Sequence, residues 1–182
     1  ADLAEGRAAL AKGDLDQAEA KLRRSLQLRP DAVDAQRYLG VVLDKRGDDP
    51  ARVTEIEGYI RQGQYKEVEP LLSAYVKERP SSAWGWYALG YSRFAQQKIG
   101  DAIQALAKSL ELDIENAEAH KILGRNLMII GRFDAAQVEF EQGLRYKPDS
   151  AELHYNLGKL FSIQDNWEPA RKAFDAALKV DP

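Results

Sequence analysis

The two histidines, His120 and His154, are the side chains best suited to bind a metal ion or to transfer a proton, and their sequence numbers differ by 34. A catalytic histidine needs a nucleophile or an orienting carboxylate, and the sequence places no such constellation around either one. The Glu-x-x-His spacing of di-iron helical bundles is also missing, because Ala117 and Ala151 stand three positions before the histidines.

The remaining candidates for chemistry are carboxylates, and these are scattered at helical surface spacing. The densest local group is Glu111, Asp113 and Glu115. The sequence contains no glycine-rich phosphate loop, no Gly-x-Ser-x-Gly and no His-Glu-x-x-His. It also lacks cysteine, which excludes disulfides, thiolate metal sites and cysteine nucleophiles. We therefore predict a protein that is not an enzyme and that uses no cofactor or metal.

The charge and hydrophobicity of the chain argue against some classes of partner. The chain has 182 residues, of which 45% are hydrophobic and 30% are charged, and its formal net charge is -3. A nucleic-acid-binding domain usually carries a basic stripe, so this balance argues against a nucleic-acid partner. No apolar run approaches the roughly 18 residues that a membrane span needs. No secretory signal is recognisable, although a cleaved one would leave no trace, so the compartment stays unknown.

Regularly spaced glycines show what kind of scaffold holds these side chains. Gly90, Gly124 and Gly158 recur every 34 positions, and Gly6 and Gly40 have the same spacing. Self-similarity at this period is typical of a solenoid of helix pairs. Other columns with the same spacing are Trp86, His120 and His154; Leu89, Leu123 and Leu157; Ala102, Ala136 and Ala170; and Leu106, Phe140 and Phe174.

Each repeat divides into two amphipathic helices, A and B, because apolar residues recur at steps of three and four. Between them lies a short turn such as Gly131-Arg132-Phe133-Asp134. Pro148 and Pro182 close the last two repeats, since proline disfavours the helical conformation of the residue before it. Glycine in helix A lets helix B approach closely.

These residues resemble the tetratricopeptide repeat, whose pattern has Trp, Leu-Gly and Tyr on helix A and Ala, Phe, Ala and Pro on helix B. The resemblance implies an all-α fold, a right-handed superhelical solenoid of antiparallel helix pairs. It also implies that the position of Trp86, His120 and His154 packs between helices, so that both histidines are structural. Residues 151–182 supply His154, Leu157, Gly158, Phe161, Ala170, Phe174, Ala177 and Pro182.

The repeat changes phase in the middle of the chain, because the numbers of Pro30 and Pro80 differ by 50 rather than by a multiple of 34. We predict one and a half repeats over 1–47, an irregular or hinge segment with a partial repeat over 48–82, and three regular repeats over 83–182. The helix over 51–61 either serves two repeats or follows a missing segment near Asp48 to Pro50. A second helix is predicted from Tyr65 to Lys77.

The resemblance also predicts where a partner binds. In this family the concave surface is lined mainly by helix A, which makes a groove for a peptide or partner protein. The residues expected to bind it are Trp84, Tyr87, Tyr91, Phe94, Lys121, Arg125, Met128, Tyr155, Asn156 and Lys159. The aromatic members would anchor apolar groups, and the cations would meet acidic groups. Alternatively, some of the aromatic rings are buried against neighbouring helices.

The carboxylate clamp by which some family members hold a chain terminus is only partly matched. Lys121 stands at its first lysine and Asn156 at its second-helix asparagine, but Arg125 replaces the first asparagine. The third helix would lie beyond Pro182, so the clamp is incomplete.

Two further functions remain open. The last repeat carries no polar cap, which solenoids usually need, so Trp167, Phe174 and Leu178 could stack on a second copy of the chain or belong to a longer protein. The repeats could also recruit substrates as an accessory domain of a longer enzyme.

Overall fold

The computed structural model describes residues 2–29, 32, 34, 35, 38, 39, 41, 42 and 50–181, and all regular secondary structure in this part is helical. Its ten complete helices are α1 (Asp2–Ala11), α2 (Leu15–Leu28), α3 (Pro50–Arg61), α4 (Tyr65–Glu78), α5 (Ala83–Ala95), α6 (Ile99–Leu112), α7 (Ala117–Ile129), α8 (Phe133–Tyr146), α9 (Ala151–Ile163) and α10 (Trp167–Val180). None of these helices is long and apolar enough to cross a membrane.

The ten helices form five A–B pairs, and each pair is joined by a short turn of the same conformation. The N–H of Gly131 donates to the carbonyl of Met128 (3.1 Å), and the N–H of Arg132 donates to that of Leu127 (2.9 Å). This Schellman arrangement requires a left-handed middle residue. The five middle residues are Gly13 (φ 78°), Gly63 (φ 70°), Gln97 (φ 61°), Gly131 (φ 75°) and Asp165 (φ 56°).

The predicted close approach of the two helices at the repeated glycines is confirmed. A Cβ atom added to Gly124 would lie 2.5 Å from Cε1 of Phe140, and one added to Gly90 would lie 2.6 Å from Cγ of Leu106. Gly6 faces Leu22 and Gly158 faces Phe174 in the same manner. In every case the facing residue follows 16 positions later, so these are equivalent helix crossings; Gly40 lies outside the described residues.

Side-chain caps fix where several helices begin. Asn116 Oδ1 accepts from the N–H of Ala119 (3.0 Å) at the start of α7. Ser150 Oγ accepts from the N–H of Leu153 (3.3 Å) at the start of α9. Such caps satisfy amide groups that have no partner within the first turn of a helix. Asn116 and Ser150 are 34 positions apart in the sequence, which is one repeat, so both A helices begin in the same register.

Residues 1–83 and 84–182 are two compact units. In the first, Leu22 is buried together with Tyr38 and Val42, so the helical residues around position 38 cover the α1–α2 pair. In the second, one apolar cluster around Leu106 joins α6 to α7. Another cluster around Phe140 joins α8 to α9 and α10. Each of these B helices thus packs against the next A helix.

The helices predicted over 51–61 and from Tyr65 to Lys77 correspond to α3 and α4, which form a complete A–B pair. In the other pairs the glycine at the helix crossing lies seven positions before the left-handed turn residue, as Gly124 does before Gly131. Seven positions before the turn residue Gly63 stands Ile56, so isoleucine takes the place of glycine in this pair. The predicted break at Asp48 to Pro50 falls largely outside the described residues. The division into 1–47, 48–82 and 83–182 therefore stays a prediction.

Candidate protein-binding surface

Helices α5, α7 and α9 of the second unit carry all of the residues that the sequence predicts to bind a partner. We call the face formed by these residues, together with Glu118 and Glu152, the A-helix surface. Helices α7 and α9 contact each other directly, and aromatic side chains of α5 pack against the apolar cluster that α7 shares with α6. The three A helices therefore present one continuous face.

The aromatic rings of α5 lie between the core and solvent. Tyr87, Tyr91 and Phe94 are half-buried and pack against the cluster around Leu106. The ring centroids of Tyr87 and Tyr91 are 6.3 Å apart, with their planes tilted by 34°. Trp84 is also half-buried. Each ring thus contributes to the packing of the unit while part of it remains accessible.

Tyr87 lies beside the acidic part of the surface. Burial above all, and then the charge of Glu118, the neighbouring Tyr91 and the charge of Glu152, raise the pKa of its phenol to about 12. A buried phenolate next to carboxylates is disfavoured by both desolvation and repulsion. Tyr87 therefore keeps its proton well above neutral pH.

Lys121 is held by two carboxylates of its own chain. Its side chain is only 10% exposed, and Nζ lies 2.6 Å from Oε2 of Glu118. It also forms an ion pair with Glu152 on the next A helix. Glu118 is contacted from the other side by Lys147, whose Nζ lies 3.4 Å from Oε1. The network ties α7 to α9 and leaves the Lys121 ammonium neutralised within the fold.

The pKa directions follow from this network. Desolvation alone would lower the pKa of Lys121, but hydrogen bonds and charge interactions with Glu118 and Glu152 outweigh it and raise the pKa. Desolvation alone would raise the pKa of Glu118, but its interactions with Lys121 and then with Lys147 lower it. Both groups are therefore charged near neutral pH, because each stabilises the ionised form of the other.

Arg125 and Lys159 present a different environment one to two turns further along the same helices. The Arg125 guanidinium lies 4.7 Å from the ring centroid of Phe94. Lys159 Nζ lies 5.7 Å from the ring centroid of Tyr155. Both side chains are exposed, and neither makes an ion pair with any of the described residues. Their charges are thus available on the surface.

The remaining predicted residues differ in what their side chains contact. Met128 is half-buried and packs against the cluster around Phe140. Asn156 Nδ2 donates to the carbonyl of Glu152 in its own helix (2.7 Å). Tyr155 is 51% exposed, and its ring lies 5.7 Å from that of Phe174.

Both histidines make hydrogen bonds through their ring nitrogens, and their structural role stays a prediction. His120 is buried, with Nδ1 2.7 Å from Oε2 of Glu139 and Nε2 2.8 Å from the carbonyl of Ile114. Since a carbonyl only accepts, Nε2 carries a proton that it donates. His154 Nε2 makes the equivalent bond to the carbonyl of Pro148 (3.0 Å). Among the described residues, no group of three or more His, Cys, Asp or Glu could hold a metal ion.

The acidic partners of Lys121 are what the sequence reasoning missed. Glu118 and Glu152 both occupy the repeat position of Trp84, in two successive repeats. A glutamate three positions before a lysine on one helix is a local sign of pairing, but the second carboxylate comes from a different repeat. Glu139 beside His120 was missed because it lies on the B helix of the same repeat, 19 positions further along the chain.

Comparison with known proteins decides the family. Models described as tetratricopeptide repeat match residues 3–51, 53–117 and 151–182, and a further TPR repeat model matches 124–165. The chain belongs to the tetratricopeptide-repeat family. The predicted resemblance is thereby confirmed, and so is the fold class of helix pairs.

Curated relatives of this tetratricopeptide-repeat chain are much longer proteins. Protein O-mannosyl-transferase TMTC1 of Mus musculus is 29% identical over 124 residues, which cover 66% of this chain and 13% of the relative. The Cell division cycle protein 27 homolog of Caenorhabditis elegans is 26% identical over 112 residues, which cover 62% of this chain and 14% of the relative. The chain thus spans less than a fifth of either relative.

Solved structures agree on the fold. MamA superposes with a TM-score of 0.65 and 24% identity, covering 97% of this chain and 94% of MamA. YrrB, described as a TPR protein with an unusual peptide-binding site, superposes with a TM-score of 0.63 and 22% identity, covering 97% of this chain and 83% of YrrB. Tetratricopeptide repeats of this kind are typical of protein-interaction scaffolds.

The family's carboxylate clamp gains no further match from the structure. Lys121, which stands at its first lysine, already binds Glu118 and Glu152. A partner carboxylate at this point would have to displace an existing ion pair. The predicted roles of the ten surface residues stay predictions.

Proposed function

We propose that this chain is a non-catalytic scaffold that binds an extended peptide segment of a partner protein on the A-helix surface of residues 84–182. The observation that carries the proposal is the row of partly exposed aromatic rings on α5 and α9, beside two surface cations that have no acidic partner among the described residues. Large apolar groups that remain accessible next to unpaired charge are typical of contact sites.

Tyr155 offers the sharpest test, because it is more exposed than the rings of α5 and lies outside the buried part of the core clusters. The chain would be immobilised and used to select peptides from a displayed random dodecapeptide library. Binding of synthetic copies would then be measured by fluorescence anisotropy. We expect Tyr155→Ala to weaken binding about tenfold or more, as loss of a central aromatic contact does.

Val138 provides the matched control. It is 53% exposed, close to the 51% of Tyr155, but it lies on the B helix α8. Val138→Ala should leave peptide affinity unchanged. The proposal fails if the library yields no binding peptide, or if Val138→Ala weakens binding as much as Tyr155→Ala. Circular dichroism of each variant separates loss of binding from loss of folding.

A second candidate function, self-association, is favoured by exposed apolar residues on α10. Trp167 and Leu178 are both largely exposed, and they lie on one face of the helix because about three helical turns separate them. Sedimentation at several protein concentrations tests it, since Leu178→Glu should abolish any concentration-dependent increase in mass. A mass that stays monomeric at every concentration rejects it. The accessory-domain hypothesis stays a prediction.

A further inference from the structure

We infer that the partner segment is acidic and that Arg125 and Lys159, rather than the clamp position Lys121, recognise it. The inference rests on the proposed function, because it specifies the chemistry of the segment that the A-helix surface binds. It assigns a specificity-determining role to a pair of cations that occupy the same repeat position on adjacent A helices.

The cations of the A-helix surface differ in whether they already form ion pairs. Lys121 is bound by Glu118 and Glu152, and Lys147 binds Glu118 as well, so the charges at this edge of the surface are already paired within the fold. Arg125 and Lys159 are exposed and make no ion pair with a described residue. An incoming carboxylate thus finds no unpaired cation at Lys121, whereas Arg125 and Lys159 attract it.

Aromatic rings hold both unpaired cations in place before a partner binds. The guanidinium of Arg125 lies against Phe94 and the ammonium of Lys159 against Tyr155. A cationic side chain that already lies over a ring has fewer conformations, so it loses less side-chain entropy when it binds an anion. The rings therefore position the cations without neutralising them, as an acidic neighbour would.

Each of the two cations has an exposed apolar neighbour on its own helix. Ile129 stands four positions after Arg125 and is 60% exposed, and Ile163 stands four positions after Lys159 and is 52% exposed. Side chains at this spacing share one face of a helix. Each A helix thus offers a cation and an isoleucine side by side, which fits a segment with apolar residues next to its acidic ones.

The distance between the two cations sets the spacing of the acids. Packed helices lie about 8–10 Å apart, and α7 and α9 are in contact. A peptide in the polyproline II conformation has three residues per turn and advances about 3.1 Å per residue, so its side chains three positions apart lie on one side, about 9 Å from each other. Acidic residues about three positions apart in the segment would therefore meet Arg125 and Lys159 in turn.

The test compares peptides selected by three forms of the chain from the same displayed dodecapeptide library. The wild type should enrich Asp or Glu at the acid-x-x-acid spacing with apolar neighbours. For synthetic copies of these peptides, Arg125→Gln/Lys159→Gln should weaken binding about tenfold or more and should remove most of its salt dependence. The inverted form, Arg125→Glu/Lys159→Glu, should enrich basic peptides instead.

Arg145→Gln/Lys179→Gln is the matched control. These two residues are also one arginine and one lysine at the same repeat position, both exposed, but they lie on the B helices α8 and α10. The control should bind like the wild type. The inference is overturned if selected peptides lack an acidic bias, or if the control weakens binding as much as the test variant. Peptides that bind through Tyr155 without the cations would leave the proposed function standing, whereas a library without binders would reject both.

Discussion

The pairs α7–α8 and α3–α4 have different residues at the point where their two helices cross. In the first, Gly124 lies against Phe140, and in the second the equivalent residues are Ile56 and Leu72, both fully buried. Glycine thus permits close packing at the first crossing, whereas the second crossing accommodates two large apolar side chains.

The turn, by contrast, is the same in both pairs. Gly63 donates to the carbonyl of Ile60 (3.0 Å), as Gly131 does to that of Met128 (3.1 Å), and both residues have positive φ. The comparison thus separates two features of the repeat. The turn defines the hairpin and hardly varies, whereas the crossing residue sets only how closely the two helices pack.

The largest predicted effect comes from giving α7 the residue of α3. Gly124→Ile should reduce the free energy of unfolding by about 3 kcal/mol or more, because even its Cβ would overlap the buried Phe140 ring. Adding Phe140→Leu, which reproduces the residue types of α3 and α4, should recover part of this loss. Urea denaturation of the single and double variants measures the coupling.

Gly100→Ala is the control, since a Cβ atom at Gly100 in α6 would meet nothing within 4 Å. That change should raise stability by roughly 0.5–1 kcal/mol, because alanine favours the helix more than glycine does. If Gly124→Ile and Gly100→Ala had similar effects, close packing would not be the reason for glycine at the crossing.

Features of the fold and of the A-helix surface could be predicted where they depend on spacing along the sequence, but not where they depend on contacts between different repeats. The register of Gly90, Gly124 and Gly158 is a property of sequence spacing, so the helix pairs could be predicted. Ile56 was missed because the phase change hid its register, which the turn glycine Gly63 reveals. The pairing of Lys121 with a glutamate of the next repeat depends on the distance between helices, which spacing alone does not give.

A prediction of intermediate size concerns the pH dependence of stability at Tyr87 of the A-helix surface. The α3 helix has Val53, which does not titrate, at the same repeat position. Because folding raises the pKa of Tyr87 to about 12 from 10.0, its neutral form contributes stability that is fully present below about pH 10 and is lost as the pH rises towards 12. Between about pH 9 and pH 12, wild type should lose roughly 2 kcal/mol more than Tyr87→Phe. Urea denaturation at both pH values measures this, and identical losses would show that the phenol is not buried as described.

The smallest predicted effect tests whether the turn is the shared feature. Gly63→Ala and Gly131→Ala should each cost about 1–2 kcal/mol, because a side chain disfavours the left-handed conformation. Gln97, which holds that conformation without being glycine (φ 61°), gives the reverse experiment, and Gln97→Gly should stabilise the protein by up to about 1 kcal/mol. Urea denaturation measures all three. Equal losses at Gly63 and Gly131 would mean that the turn contributes the same stability to both pairs, whether isoleucine or glycine lies at the helix crossing. A much smaller loss at Gly63 would mean that the α3–α4 hairpin depends on its buried side chains instead.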